Sequence, residues 1–161
     1  MNAFGTAMLA GDMTAVSALL HPDVTFSSPA VFQPYRGRAA TLLVLAAAAE
    51  TFEDFAYVAE AHGPQLDVLR FRARVGRYEL EGVDILTTDE DGQITGITVM
   101  VRPLRGLEAL VAAMQQTLAR LQESHSLPGG RRSSTGDAGR CGLGANTLHR
   151  QATHHDIAVI S

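Results

Sequence analysis

The sequence predicts one domain of the α+β class, and three observations predict it. Residues 38–50 are alanine-rich, as helices often are, residues 65–103 alternate apolar and polar side chains as strands do, and residues 104–121 repeat apolar side chains at helical spacing. The chain has 161 residues, 46% of them apolar, which suits a single hydrophobic core. Because short turns join the consecutive strands, we expect a mostly antiparallel sheet.

The first elements are two short helices and a strand. Residues 3–20 carry apolar side chains at helical spacing, and Gly11 and Asp12 divide them, with Asp12 as the expected N-cap of the second helix. HPD at 21–23 is expected to end the helix pair, and VTFSS at 24–28 alternates like a half-buried strand. Three segments follow in order: the loop SPAVFQPYRG, the helix at 38–50 and a strand at about 55–61.

The register of the first hairpin follows from its turn. If Gly76 and Arg77 form a two-residue turn, Leu69 lies opposite Asp84. The same register pairs arginines with glutamates on one face, Arg74 with Glu79 and Arg72 with Glu81. On the other face it pairs Ala73 with Leu80 and Phe71 with Gly82.

A second turn, DEDG at 89–92, predicts a further hairpin, with Asp84 opposite Ile97 and Glu79 opposite Arg102. Both hairpins then place Asp84 on the apolar face of the sheet. The other members of that face are Leu69, Phe71, Ala73, Leu80, Leu86, Ile97, Val99 and Val101. Desolvation disfavours a charged carboxylate there and raises its pKa, and such positions are often functional. Asp84 is therefore the candidate catalytic residue; the alternative is a structural acid that accepts buried hydrogen bonds.

Composition excludes several classes of protein. The net charge is −4, so no broad cationic surface is available for nucleic acid, and Arg72 and Arg74 lie opposite glutamates. All thirteen basic residues are arginine, which excludes lysine-dependent Schiff-base chemistry and the Walker lysine. The single cysteine, Cys141, cannot form an internal disulfide or a multi-cysteine zinc site. We expect no cofactor and no metal.

The composition changes at Ser124. Residues 124–161 are rich in glycine and histidine without apolar periodicity, and we predict a disordered tail there and a folded domain over 1–123. The N-terminal segment lacks a positive leader, and the longest apolar run, 41–49, is too short to cross a bilayer. We expect a cytoplasmic protein that does not bind membranes.

The order and spacing of three motifs resemble the nuclear transport factor 2-like superfamily, in its SnoaL-like and ketosteroid-isomerase-like branch. The motifs are LHPDVTFSSP, YRGR and the D-x-L-x-x-D-x-x-G-x-I segment from Asp84 to Ile94, and the resemblance covers about residues 3–121. It implies a cone-shaped, cystatin-like α+β fold, in which a curved, mostly antiparallel sheet wraps around the N-terminal helices and encloses an apolar pocket. It also implies a homodimer formed through the outer face of the sheet.

The resemblance implies a role for Asp84. In ketosteroid isomerases an acid at this position stays protonated and donates a hydrogen bond to the developing oxyanion. The isomerase's general base aligns with Ser28 and its oxyanion-hole tyrosine with Phe4, and neither residue can supply that chemistry. Limonene-epoxide hydrolases need a second acid where this chain has Val99. SnoaL-like polyketide cyclases, which use one carboxylate as acid and base, remain compatible.

The predicted pocket surrounds Asp84 with polar and apolar side chains. Ser28, Tyr57 and His21 are the candidate polar partners, although His21 has the alternative role of a helix cap. The predicted apolar lining consists of Phe55, Leu69, Phe71, Leu86, Ile97, Val99 and Val101. We expect this pocket to bind a small hydrophobic or polyketide-like molecule, with isomerase- or cyclase-type acid–base chemistry. The alternative is a non-catalytic binding or dimerisation module.

Overall fold

The computed structural model describes residues 2–126, and the predicted tail at 124–161 falls almost wholly outside them. The elements are α1 (Ala3–Ala10), α2 (Met13–Leu19), β1 (Leu20–Ser27), β2 (Tyr35–Arg36), α3 (Arg38–Thr51), β3 (Glu53–Gly63), β4 (Leu66–Val75), β5 (Tyr78–Thr88), β6 (Ile94–Arg102) and α4 (Leu104–Ser126). The six strands form one curved, open sheet in the order β2-β1-β6-β5-β4-β3. Only β1 and β6 pair in parallel, so the predicted α+β class and mostly antiparallel sheet are confirmed.

The two N-terminal helices form where the sequence predicts them. Asn2 caps α1 by accepting a hydrogen bond from the Gly5 amide at 2.8 Å, and Asp12 caps α2 by accepting one from the Ala15 amide at 2.9 Å. Gly11 ends α1 in the left-handed region, with φ 65°. The HPD segment does not form a separate turn, because β1 begins at Leu20 and includes it.

The first hairpin has the predicted register at every pair, from Val75 opposite Tyr78 to Leu69 opposite Asp84. The second hairpin is offset by two residues from the prediction. Asp84 lies opposite Val99, not Ile97, and Arg102 lies opposite Glu81, not Glu79.

Two local irregularities cause this offset. Asp89 and Gln93 close a three-residue loop in which Gly92 has φ 80°, and a further one-residue shift lies between Thr87 and Thr88. Each irregularity adds one residue to the pairing. Because the combined offset is even, every side chain keeps its predicted face.

Two clusters of buried apolar side chains cover the inner face of the sheet. The first cluster joins α1, α2 and α3 to β1 and to the Leu69, Leu86 and Ile97 part of the sheet. The second cluster lies under α4 and consists of Phe71, Ala73, Val75, Leu80 and Leu110. No helix within residues 2–126 has both the length and the apolar character needed to span a membrane.

Thr41 lies on the buried side of α3, and its side chain is fully enclosed. Its hydroxyl oxygen has no hydrogen-bond partner within residues 2–126. We expect Thr41→Val to raise the free energy of unfolding by about 1 kcal/mol, because valine has a similar shape and no hydroxyl to desolvate. Thr51→Val on the same helix is the matched control. It should lower stability, since the Thr51 hydroxyl donates to the Ala47 carbonyl at 2.7 Å. Urea unfolding measures the free energy of unfolding of both variants, and a loss of stability in Thr41→Val would contradict the prediction.

Candidate functional site

The candidate site lies where the two apolar clusters meet on the inner face of the sheet. Along β5, the inward residues run from Leu80 in the second cluster through Gly82 and Asp84 to Leu86 in the first. Three partly buried side chains pack against both clusters at this place: Tyr57, Val99 and Met114. We call these three residues and Asp84 the junction.

Asp84 is buried in the junction, with 8% of its surface exposed. Its neighbours across the sheet are Leu69 on β4 and Val99 on β6. The Tyr57 hydroxyl donates a hydrogen bond to Asp84 Oδ2 at 2.7 Å. Asp84 Oδ1 has no hydrogen-bond partner among the described residues, yet it is not one of their fully enclosed polar atoms. One carboxyl oxygen is therefore held by Tyr57, and the other has no partner among the described residues.

The environment changes the protonation of both groups. Burial raises the pKa of Asp84 to about 6, although the hydrogen bond from Tyr57 acts in the opposite direction. Burial, and then the charge of Asp84, raise the pKa of Tyr57 far above its ordinary value. The phenol thus stays protonated as a donor, while the carboxyl can take up and release a proton close to neutral pH.

Aromatic rings form one wall of the junction. The ring centroid of Phe55 lies 5.0 Å from that of Tyr57 and 5.4 Å from those of Phe52 and Phe71. Tyr57 reaches Asp84 from β3, where it lies opposite Phe71 just before a register shift in that strand. The sequence predicts Phe55, Tyr57 and Phe71 near Asp84 but not Phe52. The aromatic residues in FEDFAY lie close together in sequence, and this spacing is a signal for including Phe52.

The other predicted lining residues fall into two groups. Leu69, Phe71, Leu86 and Ile97 are at most 1% exposed and belong to the core itself. Val99, which belongs to the junction, and Val101 are partly buried.

Ser28 and His21 lie at opposite ends of β1. Continuing the pairing of Ser27 with Thr98 brings Ser28 level with Val99, two strands from Asp84 and about 10 Å away. Ser28 Oγ accepts a hydrogen bond from the Ala30 amide at 3.2 Å. His21 lies roughly 15 Å along the strand from that level, and its Nδ1 accepts from the Asp23 amide at 3.1 Å. The structure therefore does not bring His21 together with Asp84.

The outer face of the sheet carries ion pairs that differ in part from the predicted ones. Glu81 pairs with Arg70 at 2.6 Å and with Arg102 at 2.5 Å, and Arg74 pairs with Glu53 and Asp54. Arg72 and Glu79 form no ion pair within residues 2–126, although each lies opposite a residue of opposite charge. A long side chain reaches its diagonal neighbour as easily as its direct one, so the register alone does not decide the partner. In the same part of the chain, no group of three His, Cys, Asp or Glu side chains is placed to hold a metal ion.

A curved, open sheet that packs its inner face on helices defines a class of proteins, the nuclear transport factor 2-like superfamily with its cystatin-like fold. Within this class, the chain belongs to the SnoaL-like domain family, whose model matches residues 1–97. The resemblance in the sequence motifs is thereby confirmed. No curated protein matches the chain.

Solved structures agree with this assignment. The chain is 38% identical to a steroid delta-isomerase from Pseudomonas aeruginosa, with a TM-score of 0.71 over 73% of this chain and 88% of that one. It is 29% identical to an uncharacterised protein with a cystatin-like fold from Silicibacter pomeroyi, with a TM-score of 0.69 over 76% and 89% of the two chains. A putative SnoaL-like polyketide cyclase from Shewanella denitrificans shares the fold, with 15% identity and a TM-score of 0.54 over 69% and 93%.

Proposed function

We propose that the junction binds an apolar small molecule and that Asp84 exchanges a proton with it, in isomerase- or cyclase-type chemistry on a hydrophobic or polyketide-like substrate. The observation that carries this proposal is the carboxyl group of Asp84. It is buried between two apolar clusters, Tyr57 holds one oxygen, and the other oxygen has no partner among the described residues.

The protonation of Asp84 supports acid–base chemistry. A group whose pKa is about 6 can accept a proton from a carbon acid and return it at a neighbouring position. Within the described residues no second acid is buried, so one carboxyl would perform both steps. Tyr57 would hold the carboxyl in place and stabilise it while it is ionised.

The similar proteins support a proton-transfer reaction, and two residues of this chain show how it would differ from theirs. The similarity to a steroid delta-isomerase favours proton transfer next to a carbonyl group. However, Ser28 stands where that chemistry has its general base, and Phe4 is a core residue with 2% exposure. We therefore propose a single-carboxyl reaction.

Deuterium exchange is the direct test of this proposal. The protein would be incubated in D2O with apolar ketones, and loss of the proton signals next to the carbonyl would be followed by NMR. We expect the wild-type protein to catalyse exchange and Asp84→Asn to lose at least a hundredfold in rate. Asp67→Asn is a matched control, since it removes the charge of another carboxyl on the sheet whose two oxygens are held by Asn2 and His62. Ketone binding without exchange would contradict catalysis.

The second candidate function is a non-catalytic binding or dimerisation module. The hydrogen bond between Tyr57 and Asp84 favours it, because it joins β3 to β5 across the intervening β4 and so can serve structure alone. In that case Tyr57→Phe would lower stability as much as Asp84→Asn does, and neither protein would catalyse exchange.

We further propose that the chain forms a homodimer through the outer face of the sheet, where Val58, Leu66 and Met100 are exposed beside the ion pairs. Reversing two charges on this face, in the Arg74→Glu, Arg102→Glu variant, should shift the protein toward the monomer in sedimentation equilibrium. Arg120→Glu on α4 is the control, because Arg120 pairs with Glu50 on α3 instead. A wild-type mass of 17.1 kDa at every concentration would overturn the proposal. Cytoplasmic location and the absence of nucleic-acid and membrane partners remain predictions.

A further inference from the structure

We infer that the junction selects lipophilic amines, with the ligand's ammonium group donating to Asp84 Oδ1 and its apolar body lying against the aromatic wall. This inference rests on the proposed function, since it names the class of molecule that the proposed site accepts. It goes beyond that function because it concerns the charge of the ligand.

The first support is the uncompensated charge of Asp84. Thr41 and Asp84 are the only buried polar side chains within residues 2–123. None of the arginines in that part of the chain is buried, and the ion pairs found there involve other carboxylates. A buried carboxylate gains most from a cation that also donates a hydrogen bond. A protonated amine supplies both.

The second support is the aromatic wall beside the carboxyl group. Tyr57 bonds to Asp84 and makes edge contacts with Phe55 and Phe71, at ring centroid distances of 5.0 and 6.4 Å. Phe55 and Tyr57 are only partly buried, so part of each ring surface remains open. Aromatic faces attract cations, and their rings bury the apolar body of a ligand. The carboxylate and the aromatic rings therefore both favour a positively charged ligand.

The same features disfavour anions and make the binding of neutral ligands depend on the protonation of Asp84. An anion would meet an uncompensated carboxylate and no buried arginine of the described residues. A neutral ketone can accept a hydrogen bond from Asp84 only when that acid is protonated. Tyr57 is the only titratable side chain found to act on Asp84 in the part of the chain described, and the neighbours of Asp84 across the sheet are Leu69 on β4 and Val99 on β6. Amine binding should therefore follow the ionisation of Asp84.

Three probes of equal length test this inference: 4-phenylbutylamine, 4-phenylbutanol and 4-phenylbutyrate, titrated into the full-length protein and followed by NMR. At pH 8 we expect the amine to bind at least about tenfold more tightly than the alcohol, and the carboxylate to bind most weakly. The preference for the amine should shrink below pH 6. Asp84→Asn should abolish the preference, while Asp67→Asn should keep it.

The outcomes separate this inference from the proposed function. If the alcohol binds as tightly as the amine, or if the preference survives in Asp84→Asn, the inference is wrong, whereas ketone exchange would still support the proposed function. If no probe and no ketone binds, both are wrong. Should Asp84→Asn fail to fold, the pH dependence of the wild-type preference decides: a preference that stays constant from pH 8 to pH 5 contradicts the inference.

Discussion

Gly82→Ala should lower the free energy of unfolding by about 3 kcal/mol, a large part of the stability of a domain of this size. Gly82 lies opposite Phe71 on one side and Val101 on the other. A Cβ atom at this position would collide with the Phe71 ring and with the Met100 carbonyl oxygen. The carbonyl belongs to a strand of the sheet, so it cannot move aside without breaking backbone hydrogen bonds of that strand. The Phe71 ring packs against Phe52, Phe55 and Tyr57.

The control for this prediction is Gly76→Ala. Gly76 lies in the turn between β4 and β5 with φ 57°, and a Cβ atom there would meet nothing within 4 Å. Its substitution should cost only about 1 kcal/mol, the conformational penalty of a left-handed residue. Urea unfolding monitored by circular dichroism measures both variants. Equal losses in the two would show that the space around Gly82 is not the cause.

Asp84→Asn should change how stability depends on pH. Because burial raises the pKa of Asp84 from 3.8 to about 6, the folded wild-type protein is favoured while this acid is protonated. The stabilisation that comes from the raised pKa of Asp84 is complete below about pH 4 and is lost as the pH rises through 6. The free energy of unfolding changes by on the order of 3 kcal/mol over this range. The asparagine variant cannot titrate at this position, so it should gain stability relative to wild type over that range.

The difference between the two proteins is the quantity to measure. The pKa values of Asp67 and Glu81 are lowered. Hydrogen bonds from Asn2 and His62 outweigh the desolvation of Asp67, and hydrogen bonds from Arg70 and Arg102 act on Glu81, so both groups favour folding as the pH rises. They are common to both proteins and cancel in the difference. The free energy of unfolding of both proteins would be measured at pH 3.5, 5, 6 and 8. Curves that stay parallel would mean that Asp84 is not desolvated in the folded state.

Much of the fold could be predicted because alternation determines which side of a strand is buried. The pairing of β4 with β5 followed from one two-residue turn. The pairing of β5 with β6 was predicted two residues away from its true position, because a three-residue loop and a bulge leave no mark on the alternation. Asp84 was still assigned to the inner face, since an even offset preserves the side.

The site was predictable only in part. Asp84 and Tyr57 each belong to a strand whose pattern places them inward, but their hydrogen bond spans 27 residues and depends on a shift in β3 that the sequence does not reveal. Met114 reaches the junction from α4, where helical spacing indicates a buried face but not its partner. His21 is predicted as a polar partner of Asp84 because an imidazole can act as a base. In the structure it lies near the start of β1, away from the level of Asp84.

The parallel pairing of β1 with β6 has a consequence for how the chain assembles. Leu20 pairs with Ile94 and Ser27 with Thr98, so these contacts close a loop of about seventy residues, whereas β4, β5 and β6 are joined by short turns. Contacts between distant parts of a chain form late, because loop closure costs entropy before any contact compensates it. During synthesis on the ribosome, the first helices and β1 must therefore wait for the last strand to emerge before they can join the sheet.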